Sequence, residues 1–271
     1  MCFRACPGGG GPDTPIRWRR YGWSSDPGRS PARLSLTNSG NGTDPVVELE
    51  GVTKVYQQGD QRVEALRGLT LTVRGGEFTA ISGPSGSGKT TALNLIGALD
   101  TPTSGTVRLE GADLGAMSRQ ALSQLRRDRI GFVFQAYNLI PILSAYENAE
   151  IVMAVQGVPE AERRERVMTL LDRVGLAGLE QRRPLELSGG QQQRVAIVRA
   201  VAAGPAVVLA DEPTANVDSA TAEALLDMME TLNREQQVTF LFSTHDPRVM
   251  ARARRLIRLA DGQIESDEVR D

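Results

Sequence analysis

Nine consecutive residues, GPSGSGKTT from Gly83 to Thr91, concentrate glycines, hydroxyls and one lysine. Gly83, Gly86 and Gly88 let the backbone curl so that successive N–H groups face a single anion. Lys89 brings a compact positive charge suited to β- and γ-phosphates, and the Thr90 hydroxyl suits Mg²⁺. The string fits G-x-x-x-x-G-K-[ST], a phosphate cradle when it lies between a strand and a helix. A glycine- and serine-rich turn capping a helix is the plainer alternative. Against it, Lys54 and Lys89 are the only lysines among 31 Lys and Arg residues, so a lysine inside this pattern is no accident of composition. Nucleotide contacts are therefore assigned to Gly83, Pro84, Ser85, Gly86, Ser87, Gly88, Lys89, Thr90 and Thr91.

A complementary acid pair closes AVVLADEP, Ala206 to Pro213. Asp211 would hold Mg²⁺ through water. Glu212 could polarise the attacking water as general base, worth roughly 10²–10⁴ in rate. Acids are common at strand ends, and the phosphate loop is what gives this pair its meaning. The chain's single histidine, His245, lies in FLFSTHDP, after an apolar run and before Asp-Pro. A lone histidine is more often structural than chemical.

These residues need elements to carry them. VVELEGVTKVY has β-branched residues at strand-like spacing, and GLTLTV and FTAIS read as further strands. KTTALNLIGAL reads as the helix after the glycine loop. From about Ala121 to Ala203 the chain reads as mostly helical, with Val167, Leu170, Leu171 and Val174 on one face and Gly175 at the stop. AVVLA and VTFLF are short apolar runs, as strands buried on both faces of a parallel sheet require. RRLIRL and GQIES read as a terminal hairpin. The sum is an α/β sheet domain with a helical insertion.

Composition narrows the function. Hydrophobic residues at 40% and charged residues at 24% are ordinary for a globular core. Residues 1–45 hold six Arg against three Asp, so the net charge of −2 arises from an acidic body. Such a body lacks the basic stripe that nucleic acid requires. Cys2 and Cys6 are the only cysteines, which suits a cytoplasmic location without a disulfide framework. No apolar run approaches the ~18–20 residues that span a bilayer, and the N-terminus lacks a signal-peptide pattern. Residues 1–44, rich in Gly, Pro and Ser and holding Trp18 and Trp23, are expected to be a disordered extension.

LSGGQQQR, Leu187 to Arg194, adds a second candidate anion site. Ser-Gly-Gly leading into a polar helix start offers bare N–H groups and a hydroxyl; alternatively Ser188 is simply the helix N-cap. With the glycine loop before it and VVLADE after it, this string resembles the signature of the ATP-binding-cassette ATPases. The resemblance spans about residues 46–267. It implies an α/β P-loop NTPase fold: a RecA-like core sheet, an N-terminal antiparallel β subdomain and an inserted α-helical subdomain. A nucleotide-binding domain over 45–267 follows, with its helical part at about 136–200.

Roles follow from the same resemblance. Tyr56 resembles the aromatic that stacks on adenine. Gln135 is similar to the glutamine that contacts Mg²⁺ and the attacking water. Ser188, Gly189, Gly190 and Gln191 match the signature turn that seals the partner copy's ATP. Asp218, in ANVD, resembles the aspartate of the loop that crosses the dimer interface, and His245 the switch histidine at the γ-phosphate. The implied catalytic set is Glu212, His245 and Gln135; the implied metal set is Thr90, Gln135 and Asp211. ATP and Mg²⁺ are the implied cofactors. The implied partners are a second copy of the chain and transmembrane permease subunits, with no nucleic acid, at the inner face of the cell membrane. YQQGDQRVEALRGL, GALDTPTSG and RIGFVFQAYNLIP resemble the branch that serves lipoprotein release, macrolide export and cell division. An ATPase driving an export or lipoprotein-release permease is the leading expectation. A nucleotide-gated scaffold of a division-type complex, with low turnover, is the alternative. The permease contact is expected in an apolar groove near Gln135 to Tyr146, beside Pro184 to Glu186.

Overall fold

The computed structural model describes residues 45–59 and 61–270. Expectations for residues 1–44, including Cys2, Cys6, Trp18 and Trp23, lie outside that range.

Two long strands open the fold, β1 (Pro45–Gln58) and β2 (Gln61–Arg74), followed by the short buried β3 (Phe78–Ser82). The phosphate-loop helix α1 (Lys89–Ile96) comes next, then β4 (Ser104–Leu109) and β5 (Ala112–Asp113). Helix α2 (Arg119–Arg129) runs directly into β6 (Ile130–Val133). Three helices follow: α3 (Ala145–Val155), α4 (Glu160–Arg173) and α5 (Gly189–Ala202). The chain then alternates β7 (Val207–Asp211), α6 (Ser219–Gln236), β8 (Phe240–Thr244) and α7 (Pro247–Arg252). It closes with the hairpin β9 (Arg255–Ala260) and β10 (Gln263–Val269).

The strands form two sheets. One is antiparallel, in the order β2-β1-β4-β5; the other runs β10-β9-β3-β8-β7-β6. In the second, β9, β3, β8, β7 and β6 are mutually parallel, and only β10 is antiparallel, to β9. Central strands β3 and β8 are buried at every residue, which is why their sequences are continuously apolar or small. Phe78 packs against Phe242 with ring centroids 4.7 Å apart and edge-on against Phe240 at 5.7 Å, joining β3 to β8.

The helical stretch departs from expectation at one point. Ile130–Val133 forms a strand, not a helix, and pairs parallel with β7. A Cβ on Gly131 would lie 2.6 Å from the Ala200 carbonyl oxygen, so α5 passes directly over β6 where only glycine fits. Strands β4 and β5 are likewise absent from the sequence reading. Helices α3, α4 and α5 do not build a separate core. Met153, Val167, Leu171 and Val195 share one hydrophobic cluster with Phe78, Val208 and Phe240 of the sheet.

Candidate nucleotide site

Parallel register puts several loops on one edge. Ser82 lies beside Thr244, Asp211 beside Ser243, and Val133 beside Ala210. The segments beginning at Gly83, Gln135, Glu212 and His245 therefore leave the sheet from the carboxyl ends of neighbouring strands, where ligands of such sheets bind.

The glycine loop is locked in two ways. Gly83 and Gly88 have φ of 153° and 102°. A Cβ on Gly83 would sit 2.2 Å from the Leu259 carbonyl oxygen, and one on Gly88 would sit 2.6 Å from that of Ala65. Gly86, at φ 81°, has open space around it, a cradle with room for a ligand. The Lys89 ammonium donates to the carbonyls of Gly83 at 2.8 Å and Pro84 at 2.9 Å, so its charge lies against the loop. Thr90 opens the same helix, and its Oγ1 donates to Asp211 Oδ1 at 3.5 Å.

Beyond Asp211 the backbone turns sharply. Glu212 has φ 47°, a conformation that costs a non-glycine residue of order 1–3 kcal/mol. Three bonds hold it. Its N–H donates to the Ser243 carbonyl at 2.9 Å, its Oε2 accepts from Thr244 Oγ1 at 3.2 Å, and its Oε1 lies 2.6 Å from His245 Nδ1. An ionised carboxylate only accepts, so the short contact puts the proton on Nδ1 and leaves Nε2 outward. The His245 side chain is 74% exposed, which disposes of a core role. Thr214 Oγ1 donates to Asp246 Oδ2 at 2.8 Å, tying the loop after Glu212 to the residue after His245. Burial opposes ionisation of Asp246. Hydrogen bonds from Arg248 and Thr214 outweigh it and bring the carboxyl down to about 2.

Ser188 caps α5. Its Oγ accepts from the Gln191 N–H at 3.3 Å while Gln191 Oε1 accepts from the Ser188 N–H at 2.9 Å. No hydrogen bond among the described residues joins this turn to the phosphate loop. Its neighbours are others. A Cβ on Gly189 would lie 2.8 Å from Tyr137 Oη, and one on Gly190 would lie 2.2 Å from Thr221 Cγ2. Thr221 in turn donates through N–H and Oγ1 to Asp218, the N-cap of α6, at 3.0 and 2.6 Å. Those bonds hold the Asp218 carboxyl below its ordinary range.

Gln135 is exposed, and its carbonyl accepts from Asn216 Nδ2 at 2.9 Å. Tyr137 falls in the stretch expected to form the permease groove and is half-buried. Its hydroxyl donates to the Asn216 carbonyl at 3.0 Å, so the ring faces the turn that opens α5. Tyr137 and Asn138 both have positive φ, 59° and 49°, and Arg199 of α5 donates to both their carbonyls at 2.9 and 2.6 Å. Burial pushes the Arg199 guanidinium pKa down. Arg199, Asn216 and Thr221 escaped the sequence reading, because each gains its role from a partner far along the chain. Tyr56, on β1, donates its hydroxyl to Asp100 Oδ2 at 2.9 Å.

A glycine loop and lysine at the end of one buried parallel strand, with an acid at the end of another, define a P-loop nucleotide-binding protein. The chain matches the ABC transporter family over residues 66–215 and belongs to that family. The lipoprotein-releasing system ATP-binding protein LolD of Anaeromyxobacter dehalogenans is 49% identical over 224 residues, covering 82% of this chain and 94% of its own. The macrolide export ATP-binding/permease protein MacB of Brucella melitensis is 47% identical over 223 residues, covering 82% of this chain. The match covers only 34% of MacB, so the chain spans about a third of that relative. Among solved structures, a dimeric ATP-binding cassette in a post-hydrolysis state, bound to ADP and Pi, superposes with a TM-score of 0.76 at 43% identity, covering 82% of this chain and 98% of its own.

Proposed function

We propose that residues 45–267 are the ATP-hydrolysing domain of a transporter, working as a head-to-tail pair that drives a separate membrane permease of the export or lipoprotein-release type. One observation carries this: Lys89, the Thr90–Asp211 pair and the Glu212–His245 pair converge on one edge of the parallel sheet. The loop N–H groups and Lys89 receive the triphosphate. Glu212, fixed by Thr244 and His245, orients and deprotonates the attacking water. His245 presents Nε2 to the γ-phosphate, donating there when the ring is protonated. Thr90, Asp211 and Gln135 offer only oxygen donors, the set that Mg²⁺ takes alongside phosphate. When bound, Mg²⁺ neutralises charge that develops on the phosphoryl group.

Ser188, Gly189, Gly190 and Gln191 open α5 with the positive end of a helix, the second anion site contributed to the other copy's nucleotide. Asp218 lies beside that turn, on the loop that crosses between copies. Closure of the pair by ATP is the motion a permease would feel. Ile142 and Leu185, 75% and 92% exposed, offer the apolar contact for it. Among the described residues no helix is long and apolar enough to cross a membrane. On this reading the permease supplies the bilayer part and the chain sits at its inner face.

Purified chain tests this directly. It is expected to hydrolyse Mg²⁺-ATP, and Glu212→Gln is expected to accumulate as an ATP-bound dimer by light scattering. Absence of both would refute the proposal. Dimerisation with negligible turnover would favour the division-type scaffold instead.

A further inference from the structure

Lys54, the second of the chain's two lysines, has no part in the phosphate site, yet its surroundings are as specific as those of Lys89. Its side chain is only 11% exposed. The ammonium donates to Asp100 Oδ1 at 2.6 Å and to the Thr101 carbonyl at 2.8 Å, and it lies 4.9 Å from the centroid of the Tyr56 ring. Tyr56 is bound to the same carboxylate through Oδ2. Asp100 Oδ1 also accepts from the Thr101 N–H at 2.7 Å, so both carboxylate oxygens are engaged.

We infer that Lys54 and Asp100 are positioning residues that hold the Tyr56 ring at a set distance from the phosphate loop and leave one ring face for a purine base. The inference rests on the assignment of Tyr56 as the base-stacking residue. Its physical content is a ruler. Asp100, just beyond the end of α1, accepts the hydrogen bond of the Tyr56 hydroxyl, and its own N–H donates back to the Asn94 carbonyl of α1 at 3.3 Å. Burial first, then the neighbouring Asp100 carboxylate, raise the Tyr56 pKa, which keeps the phenol protonated and donating. The helix that starts with Lys89 thus carries the proposed phosphate contacts, and the anchor of the ring is tied to its far end. A cation over one face attracts the ring's negative quadrupole and occupies that face. A base is left the opposite one. In a chain that otherwise uses arginine almost everywhere, a compact ammonium suits this slot, since it meets a carboxylate, a carbonyl and a ring at once.

Binding of ATP and of inorganic tripolyphosphate, each with Mg²⁺, separates ring placement from the phosphate site. Titration calorimetry on the full chain is the measurement. Tyr56→Phe removes only the anchored hydroxyl, and Lys54→Met removes the cation while keeping most of the stem. Both are expected to weaken ATP about three- to tenfold, a fraction of what base stacking supplies, and to leave tripolyphosphate affinity within about twofold. Tyr56→Ala is the control, expected to weaken ATP about tenfold or more with tripolyphosphate again unaffected. If Tyr56→Ala binds ATP like the parent, the stacking assignment itself is wrong and the inference falls with it. If Tyr56→Ala weakens ATP while Tyr56→Phe and Lys54→Met do not, the assignment stands and the positioning role is overturned. Equal weakening of ATP and tripolyphosphate in Tyr56→Phe, which buries no unpaired charge, also overturns it.

Discussion

Gln193 Nε2 donates a hydrogen bond to the Pro213 carbonyl oxygen at 2.7 Å, inside the protein, with Gln193 wholly buried. Pro213 follows Glu212, and Gln193 lies on α5 one turn beyond Gly190. A single buried amide thus joins the helix that opens with the signature turn to the loop that carries the proposed base. Gln193→Leu leaves the Pro213 carbonyl without its partner and is expected to cost about 1–3 kcal/mol in urea denaturation. It is also expected to lower turnover more than ATP affinity. Unchanged stability and turnover would mean that the loop is held without Gln193.

Gly190 illustrates how one residue can answer to two demands. Its missing Cβ makes room for the Thr221 methyl, at a place where the added atom would collide at 2.2 Å. Gly190→Ala is expected to destabilise the chain by about 1–3 kcal/mol. Thr221→Ser removes that methyl and keeps the hydroxyl bonded to Asp218. Adding it to Gly190→Ala should restore most of the lost stability. ATPase should stay low in the double variant, because the proposed contact with the partner's nucleotide is not repaired. Full recovery of activity would confine Gly190 to packing.

Replacing Glu212 by Gln keeps an acceptor for His245 Nδ1 and removes the base. Turnover is expected to drop by roughly 10²–10⁴ in a phosphate-release assay, with ATP binding retained. A drop smaller than about tenfold would move the base elsewhere.

Asp246 makes stability acid-sensitive in a defined window. Its folded pKa of about 2 lies below the ordinary 3.8. Its ionised form therefore stabilises the fold above about pH 4, and that contribution fades as pH falls through about 2. Asp246→Asn, which can still cap α7, is expected to flatten the denaturation midpoint between those limits. A slope identical to the parent would assign the acid response to other carboxylates.

Leu185→Glu tests the membrane contact. ATPase of the isolated chain is expected to persist, since Leu185 is 92% exposed and packs into no part of the core. Copurification with the permease should fall. Unaltered copurification of this variant would place the contact on another face.

The geometry of the candidate phosphate site was legible because its parts are contiguous. Gly83, Gly88, Lys89 and Thr90 lie within eight residues of chain, and the apolar runs ending at Asp211 and Thr244 are buried strands as their composition implies. Backbone freedom, charge and strand burial are local properties, and local properties survive in a string of letters. The strand at Ile130–Val133 did not, because four apolar residues inside a helical stretch fit either period. Nor did the partner of Tyr137, whose hydroxyl turns to Asn216, 79 residues further on. Lys54 finds Asp100 across 46 residues, Gln193 finds Pro213 across 20, and the steric demand on Gly190 exists because α6 comes back to lie against it. Which residues could bind phosphate was decided by side-chain type and spacing. Which residues hold those groups in place was decided by long-range packing, because a hydrogen bond or a steric contact depends on distance in space and not on distance along the chain.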